Sequence, residues 1–413
     1  MIRAVKGTRD ILPPSSGVWN DVERRARDVF RAYNYHEIRT PIFEETLLFA
    51  RGVGEETDIV TKEMYTFEDK DGSSLTLRPE CTASVIRAYI EHRLDQQPGT
   101  MKLYYMGPMF RRERPQKGRY RQFYQIGAEA IGSESPAVDA EVIELAVEIL
   151  SRAGLAGFRL LINSVGCSEC RPKFLAALRE ELRKVSSSLC ADCRRRAETN
   201  PLRVLDCKVE ADQPVIESLP SILDYLCAAC REHFETVRGY LQDREIAFEV
   251  RPRLVRGLDY YMRTTFEITH GALGAQNSVL GGGRYDGLAE ALGSKVHSPG
   301  IGFSIGEDRL VLTLEEKTPG AGARALDLFV VPLGGAAFRK IAPLARRLRL
   351  SGKSVEVVAD ARLKRALELA NKAGARFALI VGDDEIAAGT FQLKDMASGG
   401  QQTVNESELF ERL

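Results

Sequence analysis

Residues 106–131 read MGPMFRRERPQKGRYRQFYQIGAEAI, and the fold of the whole chain turns on this stretch. It opens with apolar residues and ends in alternation, with Phe123, Gln125, Gly127 and Glu129 on one parity. Two strands joined as a hairpin produce that pattern. Between them, residues 111–121 hold six Arg or Lys among eleven, and Pro115 and Gly118 mark a turn. A solvated charged hairpin would account for the basic run alone. Arg111 and Glu113, however, lie two apart and so share a strand face. The returning strand adds a flat ring at Phe123, an amide at Gln125 and a carboxylate at Glu129. Guanidinium forks match phosphate and carboxylate oxygens bidentately, and a ring stacks on a base. The combination suits a nucleotide better than a generic anion.

This stretch resembles the second signature motif of class II aminoacyl-tRNA synthetases, in the wording of the histidyl-tRNA synthetase family. The resemblance implies that Arg111 and Glu113 hold the ATP α-phosphate and adenine, that Phe123 stacks on the adenine, and that Arg111, Gln125 and Glu129 hold the amino acid histidine.

Upstream, Val18, Val22, Ala26, Val29, Phe30 and Tyr33 recur at helical spacing, so a helix is expected over 14–33, started by Pro13-Pro14. A strand over 35–42 follows and carries Pro41, which belongs at an edge or bulge. These elements resemble the first class II motif, which implies a homodimer interface. In SLTLRPECTASVIRAYI a strand runs into Pro79, and Glu80 and Thr82 open a helix. The pair reads as helix capping or as a site for an ammonium group. The resemblance assigns it to the amino group of histidine, with Cys81 where the family usually has Gly.

Downstream, Ser135-Pro136 and Gly154 bracket another helix, and FRLLINSVG reads as a strand. From 166 to about 240 the character changes. Cys167-x-x-Cys170 and Cys190-x-x-Cys193 are spaced for a four-thiolate zinc site, and Cys207 and Cys227-x-x-Cys230 add three more thiols. Against zinc, the region reads as helical, and the family does not generally need the metal. Reduced thiols and no metal ligands are the expectation. The resemblance makes this region a helical insertion domain that clasps the tRNA acceptor stem. Its residues 171–208 hold 10 Lys/Arg against 5 Asp/Glu.

In LVRGLDYYMRTTFEI, Arg256 precedes a Gly, and Tyr260-Tyr261 open an alternating strand on which the two rings would face opposite sides. A buried Arg needs an anionic partner. The resemblance puts Arg256 at the histidine carboxylate and α-phosphate, with Tyr260 and Tyr261 in the histidine pocket and Tyr261 bonding the imidazole. In VLGGGRYDGL three glycines after a strand allow close backbone approach to a ligand, and the stretch resembles a second histidine-specific signature of the family, which implies that Tyr285 lines the pocket. GIGFSIGEDRL resembles the third class II motif, with Arg309 against the adenine and reaching the γ-phosphate.

Residues 319–322, Pro-Gly-Ala-Gly, read as a linker. Beyond them strands alternate with helices, which implies a small, mostly parallel α/β domain, with acidic 383–385 as a solvated loop. Residues 336–376 carry 11 Lys/Arg against 3 Asp/Glu, and 383–413 carry 2 against 7. A basic face on a late domain fits a polyanion, and the resemblance makes it the anticodon-binding domain.

A chain of 413 residues predicts two or three domains. The expected division is a catalytic domain over 1–322 containing the insertion, and an anticodon-binding domain over 325–413. No apolar run approaches the roughly 20 residues of a bilayer span. The start lacks the apolar core of a signal peptide, so the chain reads as cytoplasmic with reduced cysteines.

The whole pattern implies an α+β fold: a six-stranded antiparallel sheet flanked by helices, with the insertion and the α/β domain added. It implies a homodimeric ligase that uses ATP with Mg2+ to activate L-histidine and charge tRNA(His), with Arg111 and Arg256 as the catalytic pair. The alternative is a non-catalytic, histidine-binding regulatory paralogue of ATP phosphoribosyltransferase. That protein would lack the catalytic arginines and the C-terminal domain, which this chain keeps.

Overall fold

The computed structural model describes residues 2–55, 57–317, 326–359 and 362–413; the expected linker at 319–322 lies outside them. The chain divides into two compact units, Met1–Leu12 with Val18–Pro319, and Gly320–Leu413 with Pro13–Gly17.

The first unit is organised on a long sheet. Its six central strands are β1 (Met101–Phe110), β2 (Gln122–Ile131), β3 (Arg159–Ser164), β4 (Met262–Thr269), β5 (Ser278–Arg284) and β6 (Gly300–Gly306). They lie in the order β1-β2-β6-β5-β4-β3, and each neighbouring pair is antiparallel. The expected six-stranded core is present. Two-residue strands, His36–Glu37 beside β1 and Glu249–Val250 beside β3, extend it to eight and pair in parallel. The strand expected over 35–42 is therefore far shorter. Pro41 has no N–H to give a ladder, and the chain re-forms a strand only at Phe43–Glu45, in a separate three-stranded sheet.

The hairpin pairs β1 with β2 from Met101↔Ile131 to Phe110↔Gln122. Beyond Phe110 the ladder stops, and Gln116 and Arg119 close the tip, where Gly118 sits at φ 72°. Helix α1 (Ser15–Ala32) buries Val18, Val22, Ala26, Val29 and Phe30, the stripe expected from its spacing. Helix α2 (Thr82–Glu91) is buried along most of its length. Helix α3 (Pro136–Ala153) starts with Ala137 N donating to Ser135 Oγ at 3.3 Å and ends at left-handed Gly154.

Three features depart from the sequence reading. Tyr260 and Tyr261 precede β4, which begins at Met262, so no pleat separates them. Their rings pack together at 4.7 Å between centroids. The three glycines 281–283 lie within β5 rather than after a strand. Residues 383–385 open a short helix, Asp383–Ala388, in which Glu385 accepts from Gly382 N at 2.8 Å.

Between β3 and β4 the insertion is helical, with α4 (Cys170–Val185), α5 (Ala191–Thr199) and α6 (Ala228–Asp243). Phe174, Leu178 and Leu182 from α4 pack with Val204, Ile216 and Ile222 in a small core of its own. Helix α7 (Glu307–Lys317) leaves β6 directly.

The second unit holds β7 (Leu326–Pro332), β8 (Val355–Val357), β9 (Ala375–Val381), β10 (Phe391–Asp395) and β11 (Gln401–Val404) in the order β8-β7-β9-β10-β11. The first three are parallel and the last two antiparallel. Helices Gly335–Leu350 and Leu363–Lys372 make the crossovers that parallel pairs require. No described helix is long and apolar enough to cross a membrane.

Candidate active site

A cavity of about 780 Å³ opens between the hairpin, the sheet and the insertion. Eleven of the twelve residues singled out in the sequence line it: Glu80, Thr82, Arg111, Glu113, Phe123, Gln125, Arg256, Tyr260, Tyr261, Tyr285 and Arg309. Glu129 lies just behind, bonded to two of them.

One end of the cavity is polar and lined by buried side chains. Glu129 on β2 is 1% exposed, with Thr82 Oγ1 donating to its Oε1 at 2.7 Å and the Tyr285 hydroxyl to its Oε2 at 2.6 Å. Burial pushes its carboxyl up to about 8, although both hydrogen bonds favour the ionised form. Its side chain crosses β6 at Gly302, where a Cβ would collide with the carboxylate. Glu80 is also buried and its pKa is raised, chiefly by burial. Its two oxygens accept from Thr82 N at 2.8 Å and Ala83 N at 2.9 Å. Glu80 thus caps α2, as one of the two readings expected, while Thr82 gives its hydroxyl to Glu129. Tyr260 packs edge-on against Tyr285 at 5.9 Å, which brings three tyrosines to the same wall.

The other end is cationic. Arg111 donates from Nε to Pro79 O at 2.8 Å, and its guanidinium lies 5.2 Å from the centre of the Phe123 ring. Glu113 is 3.9 Å from Arg111 but 3.0 Å from Arg119, a partner that the sequence reading passed over. Arg309, in the first turn of α7, donates to Ser278 O at 2.6 Å and Gly118 O at 3.3 Å. It therefore bridges the hairpin tip and β5. Arg256 forms an ion pair with Glu267 on β4. Glu267 was also missed, though a lone carboxylate in MRTTFEIT was its signal. Gly281 makes room for this Arg: a Cβ there would collide with the guanidinium. Gln125 Oε1 and Arg256 Nε are among the buried side-chain atoms of the described residues that have no hydrogen-bond partner, as are Arg119 Nε and Ser304 Oγ on the same cavity. A buried polar atom without a partner calls for one, and a polar ligand in the cavity would supply it.

An antiparallel six-stranded sheet, an arginine-rich hairpin on it and an arginine at the start of the helix that follows its last strand together define a class II aminoacyl-tRNA synthetase. The model for histidyl-tRNA synthetase matches residues 7–310, and that for the anticodon-binding domain matches 327–413. The histidine–tRNA ligase of Solibacter usitatus is 72% identical over 413 residues, covering all of this chain and 99% of its own. That of Koribacter versatilis is 57% identical, covering 99% and 95%. The crystal structure of apo S. aureus histidyl-tRNA synthetase is 40% identical with a TM-score of 0.82, covering 100% and 99%. The chain belongs to the histidyl-tRNA synthetase family. It is an enzyme with histidine–tRNA ligase activity and it uses ATP, which leaves no place for the non-catalytic alternative.

Proposed function

We propose that the cavity holds L-histidine at its end beside Glu129 and MgATP at its cationic end, and that the reaction runs between Arg111 and Arg256. The observation that carries this reading is the buried Glu129 carboxyl group, held from both sides just behind the wall of a cavity that also bears Arg111, Arg256 and Arg309. In the first half-reaction the histidine carboxylate attacks the α-phosphorus, a new O–P bond forms, and pyrophosphate leaves with the electrons of the broken bond. Charge grows on the α-phosphoryl oxygens. Catalysis of such a step is positioning and electrostatics, so no Ser or Cys nucleophile is required. Arg111 and Arg256 stabilise that charge from two sides. Arginine stays charged at any pH the enzyme meets. Arg309 takes the outer phosphates and packs against the adenine, with Phe123 on the other face of the base and Glu113 at its edge. Bound with ATP as part of the substrate, Mg2+ would offset the charge of the outer phosphates. The cavity carboxylates Glu113 and Glu267 are oxygen donors of the kind that this ion shares with substrate phosphates.

Glu80, Thr82 and Gln125 hold the amino group, while Glu129, Tyr261 and Tyr285 read the imidazole. A site built from polar groups rejects analogues that lack the matching atoms by roughly 10⁴–10⁵. In the second half-reaction the adenylate passes its histidyl group to the 3′ end of tRNA(His). The insertion meets the acceptor stem, and the basic C-terminal domain meets the anticodon arm. We read the chain as a cytoplasmic homodimer formed through α1 and the segment around Pro41. Histidine-dependent ATP–pyrophosphate exchange tests the site assignment. Glu129→Gln, Arg111→Ala and Arg256→Ala should each abolish exchange, whereas Arg365→Ala, at an exposed position of the C-terminal unit, should not. Normal exchange in any of the first three would remove that residue from the site.

A further inference from the structure

Seven of the eight cysteines lie in the insertion, and the fold sorts them into two groups. Cys167 and Cys170 stand where the chain leaves β3, and Cys227 and Cys230 where it enters α6. Their four Sγ atoms lie within 4.8 Å of one another, with Cys167 3.6 Å from Cys170 and 3.9 Å from Cys227. The second group joins Cys190, Cys193 and Cys207 to a carboxylate oxygen of Asp212, again within 4.8 Å. Cys190 lies 4.0 Å from Cys207, and Cys207 Sγ lies 3.4 Å from Asp212 Oδ2. The pairing that linear spacing suggested, 167/170 with 190/193, is not the one the fold makes.

These distances discriminate between kinds of site. A disulfide needs its sulfurs about 2.05 Å apart. Around a tetrahedral zinc ion, Zn–S bonds of about 2.3 Å put neighbouring sulfurs about 3.8 Å apart, and an oxygen at about 2.0 Å sits about 3.5 Å from a sulfur. The close contacts in both groups, 3.6, 3.9 and 4.0 Å between sulfurs and 3.4 Å from sulfur to oxygen, lie near these tetrahedral values. The outer contacts are those of bound thiolates as well. Backbone N–H groups donate to sulfur from Cys227 to Cys170 at 3.0 Å, from Cys193 to Cys190 at 3.4 Å and from Val209 to Cys207 at 3.4 Å. Cys190 N donates to both oxygens of Asp212 at 3.1 Å, which fixes the carboxylate. Such outer-shell bonds orient metal ligands and spread their charge. A divalent ion with four anionic ligands keeps a net charge of about −2, and the 10 Lys/Arg against 5 Asp/Glu of residues 171–208 offset it.

We propose that the insertion is a two-zinc module, with one ion held by Cys167, Cys170, Cys227 and Cys230 and a second by Cys190, Cys193, Cys207 and Asp212. This reverses the expectation of no metal ligands. Each set supplies four protein ligands and leaves no open position, which marks a structural site rather than a catalytic one. The first ion joins the two ends of the insertion and closes the loop between them, where a small core gains most from a staple. The second ion fixes the segment that carries Arg203 and Lys208 into the wall of the cavity. Neither step depends on which substrates the cavity takes.

Metal analysis of full-length protein purified without chelator tests this directly. The expected result is about two zinc ions per chain. Cys227→Ser and Cys193→Ser should each lower this to one, and the double variant to none. Because these variants could misfold, the wild type is also titrated with a mercurial. Zinc should be released in step with the insertion thiols, and cobalt in its place should give the intense absorption of tetrahedral thiolate sites. A folded, metal-free protein whose insertion thiols react at once would overturn the proposal, as would disulfides found by mass analysis. One equivalent that survives Cys193→Ser unchanged would overturn the second site.

Discussion

The Tyr285 hydroxyl reaches Glu129 across an intervening strand, donating to its Oε2 at 2.6 Å. Glu129 lies on β2 and Tyr285 just past β5, with β6 between them. The two meet over Gly300 and Gly302, and a Cβ at either position would strike one of the two side chains. The pocket is thus a groove in the sheet made by omitting two side chains.

Protonation of Glu129 gives the first prediction. Burial raises its carboxyl to about 8, so the empty folded protein holds a proton there at neutral pH. The folded value lies above the unfolded one of about 4.3. That interaction therefore makes stability fall as pH rises through this window, by up to about 1.4 kcal/mol per pH unit. The imidazole is itself mostly neutral in this range, but the ligand's ammonium, held by Thr82 next to this carboxyl, would expel the proton. Calorimetry in buffers of different ionisation enthalpy, between about pH 7 and pH 8, should detect proton release on histidine binding in the wild type and less of it in Glu129→Gln. Equal release in both would show that Glu129 does not face the ligand's charge.

The two close-approach glycines separate the halves of the site. Gly302→Ala pushes on Glu129 and should raise the histidine KM at least about tenfold, with the KM for ATP little changed. Gly281→Ala pushes on Arg256 and should lower kcat by a comparable factor instead. Overpacking of this kind costs about 1–3 kcal/mol. Pyrophosphate-exchange kinetics decide the matter, and the same pattern from both variants would contradict the division.

A buried ionic network supports the sheet without touching the cavity. Arg284 is fully buried and bonds Asp139 at 2.7 Å and Asp286 at 2.6 Å, and His233 on α6 bonds the other Asp139 oxygen at 2.8 Å. Removing one partner of such a set costs about 3–5 kcal/mol, so Asp139→Asn should lower the melting temperature by many degrees. Burial alone would raise the Asp139 carboxyl, but the His233 hydrogen bond and the Arg284 charge outweigh it and hold it below the usual range. Its contribution is then present above the unfolded pKa and lost as pH falls through the lower folded value. The variant should accordingly show a shallower acid limb below about pH 4. An unchanged melting temperature at pH 7 would mean that the network adds nothing net.

Much of this was legible in the sequence, because hairpin alternation, helix stripes and turn residues are local signals. The β1–β2 pairing, α1 with its buried stripe and the helix start at Arg309 all follow from neighbours within a few residues. The partners were not legible. Arg256 finds Glu267 and Arg284 finds Asp139, pairs 11 and 145 residues apart, and no periodicity marks either. The cysteines teach the same lesson: each C-x-x-C is a local motif, but which pair meets which depends on where the insertion begins and ends. Tyr260 and Tyr261 misled for the opposite reason. Their pattern reads as strand, but the turn before β4 puts both rings on one wall.

The C-terminal unit should be separable in function. A chain ending at Gly322 is expected to retain histidine-dependent exchange and to charge tRNA poorly. Added salt should weaken tRNA binding by the full-length protein through counterion release. Full-length charging rates and affinity in the truncated chain would assign the basic segment at 336–376 another role.

Arg256 offers the sharpest test, because its ion pair with Glu267 fixes a guanidinium beside the place assigned to the α-phosphate. A charge held there in advance stabilises the transition state more than the ground state, since phosphoryl charge grows only as the reaction proceeds. Losing one such preorganised donor costs roughly 10²–10³ in rate. Arg256→His should therefore lower the single-turnover rate of adenylate formation by at least that factor, while ATP still binds and histidine affinity falls less. Glu267→Gln keeps the arginine but loosens its anchor, and should give a smaller loss in the same step. Transfer of histidine from preformed adenylate to tRNA should suffer least in both variants, because the α-phosphate is then part of the leaving group rather than the point of attack. Losses of equal size in both half-reactions, or none in activation, would exclude this role for Arg256.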